Sequence, residues 1–168
     1  MNRTYIRQFL SKYLPDFDAN ELWLKKLYMK NFILAVSCND EDKLKSYQRL
    51  EFLGDTVFHI GITYYLYNRF DNKDLGFLSK LRIQIEAGES MASMCEKIGL
   101  IECLDEDATE SIKEDVFEAF IGAIYLELKF TKTMTIIKNI IEESKDFVEL
   151  VTTDNNYKGL LMTKFHSL

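Results

Sequence analysis

Two pairs of acidic residues in this sequence have a spacing that could support chemistry. Glu51 and Asp55 are four residues apart, and Asp115 and Glu118 are three residues apart, each pair within an otherwise apolar segment. On a helix, either spacing places both carboxylates on the same face. Carboxylates held so close repel one another unless a cation lies between them, and Mg²⁺ prefers carboxylate and water oxygens. Each pair is therefore a candidate half of a metal site.

Two such pairs, brought together by helix packing, would form a cluster of four carboxylates. A metal centre of that kind can hydrolyse phosphodiesters, because one ion activates water while the centre stabilises charge on the attacking or leaving oxygen. The alternative interpretation is that both pairs lie on solvated helix faces, where such spacings are common. The apolar residues around both pairs favour the metal site, since an unpaired carboxylate is destabilising inside a core.

Helices are the elements that must position these carboxylates. The chain has 168 residues, with one proline and seven glycines, so helix breakers are few, and no segment alternates as a strand would. Its composition, 47% hydrophobic and 29% charged, is typical of a globular protein, and its length fits one domain. We predict an all-α domain over residues 1–150, followed by a C-terminal tail over residues 151–168.

The apolar periodicity predicts where the helices lie. The predicted helices cover residues 3–13, 22–27, 45–69, 78–98 with a break near Gly88, 113–129 and 131–150, and a further apolar segment runs over 28–36. The predicted loops cover residues 37–46, 70–76 and 102–111. Segment 45–69 is apolar nearly all round, which is typical of a central helix covered by its neighbours. Gly54 and Gly61 within it indicate a close approach by another element.

Charge and cysteine content limit the classes of protein that fit. A net charge of −6 argues against a nucleic-acid binder, unless basic residues cluster on one face or metal ions held by acidic residues meet the phosphates. No apolar run approaches the roughly 20 residues that span a bilayer, and the N-terminal residues lack a secretory h-region. Three cysteines without a C-x-x-C pair favour a reducing compartment. We therefore expect an intracellular protein, cytoplasmic or nuclear, without a membrane association.

Four motifs resemble those of the ribonuclease III family and occur in the family's order. YQRLEFLGD (47–55) closely resembles the family signature, in a form similar to that of Dicer ribonuclease domains. GFLSKLR (76–82) is similar to the family's Gly-x-Leu-Ser-x-Leu-Arg element, and EDVFEAFIGAIYLE (114–127) to its second acidic motif. FILAVSC (32–38) is faintly similar to the segment before the signature. The resemblance covers about residues 28–150.

The resemblance implies a ribonuclease III endonuclease fold, a homodimer, and Mg²⁺-dependent cleavage of double-stranded RNA, with Mn²⁺ as a substitute ion. The family's four catalytic, metal-binding carboxylates match Glu51, Asp55, Asp115 and Glu118 in this sequence. Two such sites across a dimer would cut opposite strands and leave 5′-phosphates and short 3′ overhangs, in RNA processing or silencing. Part of the apolar signature would then form the dimer seam.

Several basic residues are candidates for RNA contact. Lys80 and Arg82 are candidate phosphate ligands, although basic residues on a helix face are more often simply solvated. Ser111 stands where Dicer-type domains often place a lysine, and Lys113 is the candidate substitute. Gln48 stands where many bacterial members have a glutamate. These departures make RNA affinity the property in which this chain is expected to differ most from its relatives.

Two further features bear on the site and on RNA binding. His59 continues the helical stripe of Glu51 and Asp55, either as an outer partner of the metal site or, as we favour, as a packed histidine bonded to a neighbour. DNNYKGLL (154–161) looks like the start of the family's C-terminal double-stranded-RNA-binding domain. We expect RNA binding to draw on such a domain outside this chain or on a helper RNA-binding protein.

Two other functions remain open beside the endonuclease. The first is a non-catalytic ribonuclease III-like scaffold that dimerises or binds RNA within a larger assembly. Such relatives typically lose acidic positions, whereas this chain keeps all four. The second is a helical metal-dependent hydrolase of small phosphate compounds, which suits the negative charge but leaves the GFLSKLR motif unexplained.

Overall fold

The computed structural model describes residues 1, 3–16, 26–37 and 47–145. Over these residues the structure contains helices and turns and no strand, which confirms the predicted all-α fold. Its elements are α1 (Arg3–Tyr13), α2 (Lys26–Ala35), α3 (Gln48–Arg69), α4 (Leu75–Ile85), α5 (Gly88–Lys97), a 3₁₀ turn (Leu100–Cys103) and α6 (Glu110–Ser144). No helix in the described ranges is both long enough and apolar enough to cross a membrane.

Helix α6 is the centre of the packing. It contacts α3 most extensively and also packs against α1, α2 and α5. Phe120 of α6 meets Phe9 of α1 edge-on, with ring centroids 5.0 Å apart, and lies 5.7 Å from the ring of Phe32 of α2. Phe117 of α6 makes a second edge-on pair with Phe58 of α3. Because full burial of a phenylalanine contributes roughly 1.5–3 kcal/mol, these rings help to hold the other helices on α6.

Helix α3 is buried on one side only, so the prediction that it is covered by neighbours all round is wrong. Its inner face, which includes Leu50, Phe58 and Ile62, packs on α6. Its outer face leaves four large apolar side chains exposed: Phe52 (82%), Ile60 (45%), Tyr64 (57%) and Tyr67 (71%). We call these four residues the outer stripe. Nothing in the described part of this chain covers them.

The boundaries around α4 and α5 follow from local side-chain and backbone chemistry. The Asp74 side chain accepts a hydrogen bond from the Phe77 amide at 2.8 Å, so α4 begins at Leu75 and not at the predicted residue 78. The predicted break near Gly88 is confirmed, because α4 and α5 are separate helices. Gly99 has φ 78°, a left-handed conformation that suits glycine, and it ends α5 as predicted.

Helix α6 spans the two helices predicted over 113–129 and 131–150, and its non-helical residue Lys129 confirms the predicted break between them. The Thr109 hydroxyl accepts from the Ile112 amide at 3.3 Å, so the helix begins at Glu110, inside the predicted loop. It is interrupted at Lys129, which has φ 63° and ψ 178°. It ends at Ser144, since Lys145 is extended, and the predicted extension to residue 150 is wrong at that point. Residues 146–150 lie outside the described residues.

Some sequence predictions fall on parts of the chain that the structure does not describe. Most of the predicted helix over 22–27, most of the loop over 37–46 and the whole tail over 151–168 lie outside the described residues. The apolar segment over 28–36 corresponds to α2. Cys95 and Cys103 are free thiols, so no disulfide bond joins the cysteines that the structure describes.

Candidate active site

Two glycines bring α3 and α6 into backbone contact. A Cβ atom built on Gly54 of α3 would lie 1.7 Å from the carbonyl oxygen of Glu118, and one built on Gly122 of α6 would lie 2.3 Å from the carbonyl oxygen of Leu50. No side chain larger than hydrogen fits at either position without moving a helix. The contact confirms the close approach predicted from Gly54. It also sets Glu118 opposite the turn of α3 that carries the first acidic pair.

All four sequence-predicted carboxylates lie near this crossing and influence one another electrostatically. Burial, together with repulsion from acidic neighbours that include Asp55, Glu51 and Asp115, raises the pKa of Glu118 to about 8. Burial also raises the pKa of Glu51, with Asp115 and Asp55 as its charged neighbours. Such mutual repulsion requires side chains from both helices to share one region. We call these residues, Glu51, Asp55, Asp115 and Glu118, the carboxylate cluster.

Asp115 is held by a tyrosine that precedes α3. The Tyr47 hydroxyl donates a hydrogen bond to Asp115 Oδ2 at 3.1 Å. Burial raises the pKa of Asp115, and this hydrogen bond acts in the opposite direction, because it favours the ionised form. Asp115 is thus the member of the cluster for which the structure shows a defined hydrogen-bond donor.

Glu114 is a fifth acidic residue at the site, and it was not predicted from the sequence. Its carboxylate lies beside Gly88 at the start of α5, where a Cβ atom on Gly88 would be 2.6 Å from Glu114 Oε2. Burial raises the pKa of Glu114, and repulsion from Asp115 raises it further. Glu114 also contributes to the raised pKa values of Glu51 and Glu118. A signal was available, since Glu114 stands one helical turn before Glu118.

The donor chemistry of the cluster fits a hard divalent cation. Carboxylate oxygens are the usual protein ligands of such ions, and a cation would relieve the repulsion that raises these pKa values. In the described ranges, however, no three histidine, cysteine, aspartate or glutamate side chains already converge closely enough to form a coordination sphere. The residue types and the charge of the site fit a metal ion, but the side chains would have to move closer together to coordinate it.

His59 pairs with a neighbour, as the favoured interpretation predicted, but it is exposed and not packed, so that part of the prediction is wrong. Its Nδ1 lies 2.7 Å from Glu86 Oε1, and Arg82 Nε lies 3.9 Å from the other Glu86 oxygen. Burial raises the pKa of Glu86, His59 and Arg82 lower it, and Asp55 raises it. Glu86 therefore connects His59 electrostatically to the edge of the carboxylate cluster. Sequence spacing gave no sign of this pair, because it joins α3 to the end of α4.

The three candidate RNA-contact residues lie in different settings. Lys80 is exposed on α4. Arg82 is part-buried, and its guanidinium donates to the Thr63 hydroxyl at 3.4 Å. Lys113 binds Glu96 of α5 at 2.5 Å, an ion pair that raises the pKa of the lysine. Contact with RNA stays a prediction for all three residues.

A groove of about 530 Å³ lies at the other end of α3, away from the carboxylate cluster. Tyr64 and Arg69 of α3 and Met134 and Lys138 of α6 are among the residues that line it. None of the four carboxylates borders this groove. The groove is therefore separate from the candidate active site.

Comparison with known proteins gives these features a family. Residues 48–129 match the model of the ribonuclease III domain. The chain is 38% identical, over its whole length, to "Probable ribonuclease 3" of Acanthamoeba polyphaga mimivirus, of which it covers 32%. It is 34% identical to "Ribonuclease 3" of Aliarcobacter butzleri (strain RM4018), over 88% of this chain and 71% of that protein.

A solved structure supports the same assignment. The nuclease domain of ribonuclease III from Campylobacter jejuni matches with a TM-score of 0.63 and 31% identity, over 69% of this chain and 87% of that chain. The chain spans only 32% to 49% of the length of three of the curated relatives that it matches. The resemblance predicted from the four motifs is confirmed by these matches. The chain belongs to the ribonuclease III family.

Proposed function

We propose that this chain is a metal-dependent endonuclease domain that hydrolyses phosphodiester bonds in double-stranded RNA. The observation that carries the proposal is the carboxylate cluster at the crossing of Gly54 and Gly122. Family membership supports the reaction class, and the names of the relatives, ribonuclease 3, support RNA as the substrate. The products expected from the resemblance are 5′-phosphate ends with short 3′ overhangs.

The four carboxylates would hold Mg²⁺, with Mn²⁺ as a substitute. The bound ion supplies an activated water and stabilises charge on the reacting oxygens. Asp55 is exposed and can meet an ion that arrives from solvent. Glu118 is more buried, and its raised pKa means that it must lose a proton when a cation binds. Metal binding is therefore expected to compete with protons at this residue.

The outer stripe supports assembly as a homodimer. Phe52 and Tyr67 are the most exposed of its members, and exposed apolar surface of this extent marks interaction sites. The matched nuclease domain from Campylobacter jejuni has a region involved in dimer formation, which is described as structurally flexible in that protein. A second copy of this chain would cover the stripe. The dimer would carry two carboxylate clusters, one for each strand of a duplex.

RNA binding by this chain alone is expected to be weak. Arg82 and Lys113 would have to exchange Glu86 and Glu96 for phosphates. The net charge of −6 repels a polyanion such as RNA, and this repulsion is strongest at low salt, where screening is least. Contacts between basic side chains and phosphates, in contrast, weaken as the salt concentration rises. A C-terminal RNA-binding domain or a helper RNA-binding protein would supply the missing affinity.

Cleavage of a defined RNA duplex tests the proposed function. The wild type is incubated with a labelled duplex over a range of Mg²⁺ concentrations and salt, beside Asp55→Asn and Asp71→Asn. Asp71 is a matched control, because it is an exposed aspartate in the turn that follows the same helix. We expect the wild type and Asp71→Asn to cut the duplex only with a divalent ion, and Asp55→Asn to be at least about 100-fold slower.

Two results would overturn the proposal. One is a wild type that leaves duplex RNA intact at every Mg²⁺ and salt concentration, which would favour the scaffold. The other is equal cutting by the wild type and Asp55→Asn. Single-stranded RNA and duplex DNA, run in parallel, define the substrate class. Mapping the cut positions then shows whether the ends carry the expected overhang.

A further inference from the structure

Tyr47 connects the two helices that carry the carboxylate cluster. Its backbone carbonyl accepts hydrogen bonds from the amides of Leu50, at 2.8 Å, and Glu51, at 3.0 Å, in the first turn of α3. Its hydroxyl donates to Asp115 Oδ2 on α6 at 3.1 Å. The same residue thus starts the helix that bears one acidic pair and binds a carboxylate of the other pair.

The hydroxyl has a specific consequence for Asp115. A part-buried carboxylate can rotate about two side-chain torsions, and a donor fixed by the backbone of α3 restricts that rotation. The bond occupies one carboxylate oxygen and leaves Oδ1 available for a cation. A donor without a positive charge also holds the carboxylate without neutralising it, so the attraction for a cation is preserved.

We propose that Tyr47 is a positioning residue for divalent-metal binding, which orients Asp115 so that it acts together with Glu51, Asp55 and Glu118. The inference rests on the proposed function and deepens it. Tyr47 has no part in the chemistry itself, because its hydroxyl acts only through Asp115. Its loss should therefore weaken metal binding and leave the reaction at saturating metal nearly intact.

The chain offers a matched control in Tyr65. Its hydroxyl donates to Glu142 Oε1 at 3.3 Å and, like that of Tyr47, joins the α3 side of the crossing to a carboxylate of α6. Glu142 borders the groove at the far end of α3, away from the carboxylate cluster. Tyr65→Phe and Tyr47→Phe therefore remove the same kind of bond between the same helices. The two bonds differ in their location relative to the cluster, and Glu142 also accepts from Arg69 at 3.3 Å.

The test measures metal binding and cleavage separately. Binding of Mn²⁺ to the full chain without RNA is followed by electron paramagnetic resonance, and duplex cleavage is followed over a range of Mg²⁺ concentrations. For Tyr47→Phe we expect the Mn²⁺ dissociation constant and the half-saturating Mg²⁺ concentration to rise about tenfold, as for loss of a hydrogen bond to a charged group. The rate at saturating Mg²⁺ should stay within about twofold of wild type. Tyr65→Phe should leave both metal constants unchanged.

Each other outcome counts against the inference. An unchanged Mn²⁺ affinity in Tyr47→Phe, with an active wild type, overturns the role of Tyr47 and leaves the proposed function standing. Equal weakening in Tyr65→Phe also overturns it, because the effect would then be general loosening of the α3–α6 contact. A wild type that neither binds Mn²⁺ nor cuts RNA overturns the proposed function and this inference with it. Thermal unfolding of each variant shows that the compared proteins are folded, and phenylalanine retains the ring that packs at each position.

Discussion

Glu118 is the residue whose chemistry is most altered by the fold. Burial and repulsion from the neighbouring Asp55, Glu114 and Glu51 together raise its pKa to about 8. In the unfolded chain the same carboxyl would ionise near its ordinary pKa. At a pH between these two pKa values, Glu118 keeps its proton in the metal-free folded protein and has lost it in the unfolded chain. Stability must therefore depend on pH in this interval.

We expect the melting temperature of the metal-free protein to fall as the pH rises. The contribution of protonated Glu118 is fully present below the ordinary glutamate pKa and is lost as the pH rises through about 8. Differential scanning fluorimetry in EDTA, from about pH 4 to pH 9, measures the effect in the wild type and in Glu118→Gln. The fall should be smaller in the variant, and added Mg²⁺ should reduce it in the wild type. Parallel curves for the two proteins in EDTA would contradict this assignment.

The acidic residues show what sequence spacing can and cannot predict. The pairs Glu51–Asp55 and Asp115–Glu118 could be predicted, because helical periodicity puts each pair on one face. Tyr47 could not be linked to Asp115 by spacing, since the two residues are 68 positions apart and meet only through packing. Glu86 is a similar case, because its neighbours His59 and Asp55 lie on another helix.

At the scale of the helices, side-chain caps and glycines mark the predictable boundaries. Gly99 stops α5 as its residue class indicates, whereas the start of α4 was predicted three residues late although Asp74 belongs to the class that caps helices. The break at Lys129 was predicted from the apolar periodicity, although neither glycine nor proline stands there. The exposed side of α3 was missed, since an apolar residue in the sequence does not reveal whether a helix or a second molecule covers it.

The crossing of α3 and α6 predicts a strong effect for one small substitution. Gly54→Ala would place a methyl group 1.7 Å from the Glu118 carbonyl oxygen, so the two backbones must separate. We expect the free energy of unfolding, measured by urea denaturation, to fall by about 3 kcal/mol or more. Cleavage should be lost as well, because the cluster depends on the crossing.

Gly61→Ala is the matched control on the same helix. Its methyl group would meet Cδ1 and Cγ2 of the Ile137 side chain at 2.6 Å and 2.9 Å, and a side chain gives way more readily than a backbone carbonyl. We expect a loss of stability of about 1 kcal/mol and retained cleavage. If the two alanine variants lose the same stability, the backbone contact at Gly54 does not define the crossing as described.

At the scale of the whole molecule, we propose that the outer stripe determines how chains associate. We expect the wild type to behave as a dimer in light scattering coupled to gel filtration, with twice the 19.7 kDa mass of the chain. Phe52→Glu places a charge at the most exposed member of the stripe and should raise the dissociation constant at least about 100-fold. The loss should appear as a shift to the monomer mass at micromolar concentration.

Ile101→Glu serves as the control for this experiment. Ile101 is also apolar and exposed, but it lies in the 3₁₀ turn outside the outer stripe. The variant should remain dimeric. A wild type that is monomeric at all concentrations, or dissociation of both variants alike, would contradict the assignment of the stripe as the dimer surface.

The central claim is that carboxylates of α3 and α6 form one metal-dependent centre that cuts duplex RNA. The most direct measurement is the single-turnover cleavage rate at saturating Mg²⁺ for wild type, Glu118→Gln and Glu110→Gln. Glu110 is an exposed glutamate about two turns before Glu118 on α6, so it controls for charge removal on the same helix. We predict that Glu118→Gln is slower by at least about 100-fold and Glu110→Gln by less than about twofold. Equal rates for Glu118→Gln and the wild type would contradict the claim.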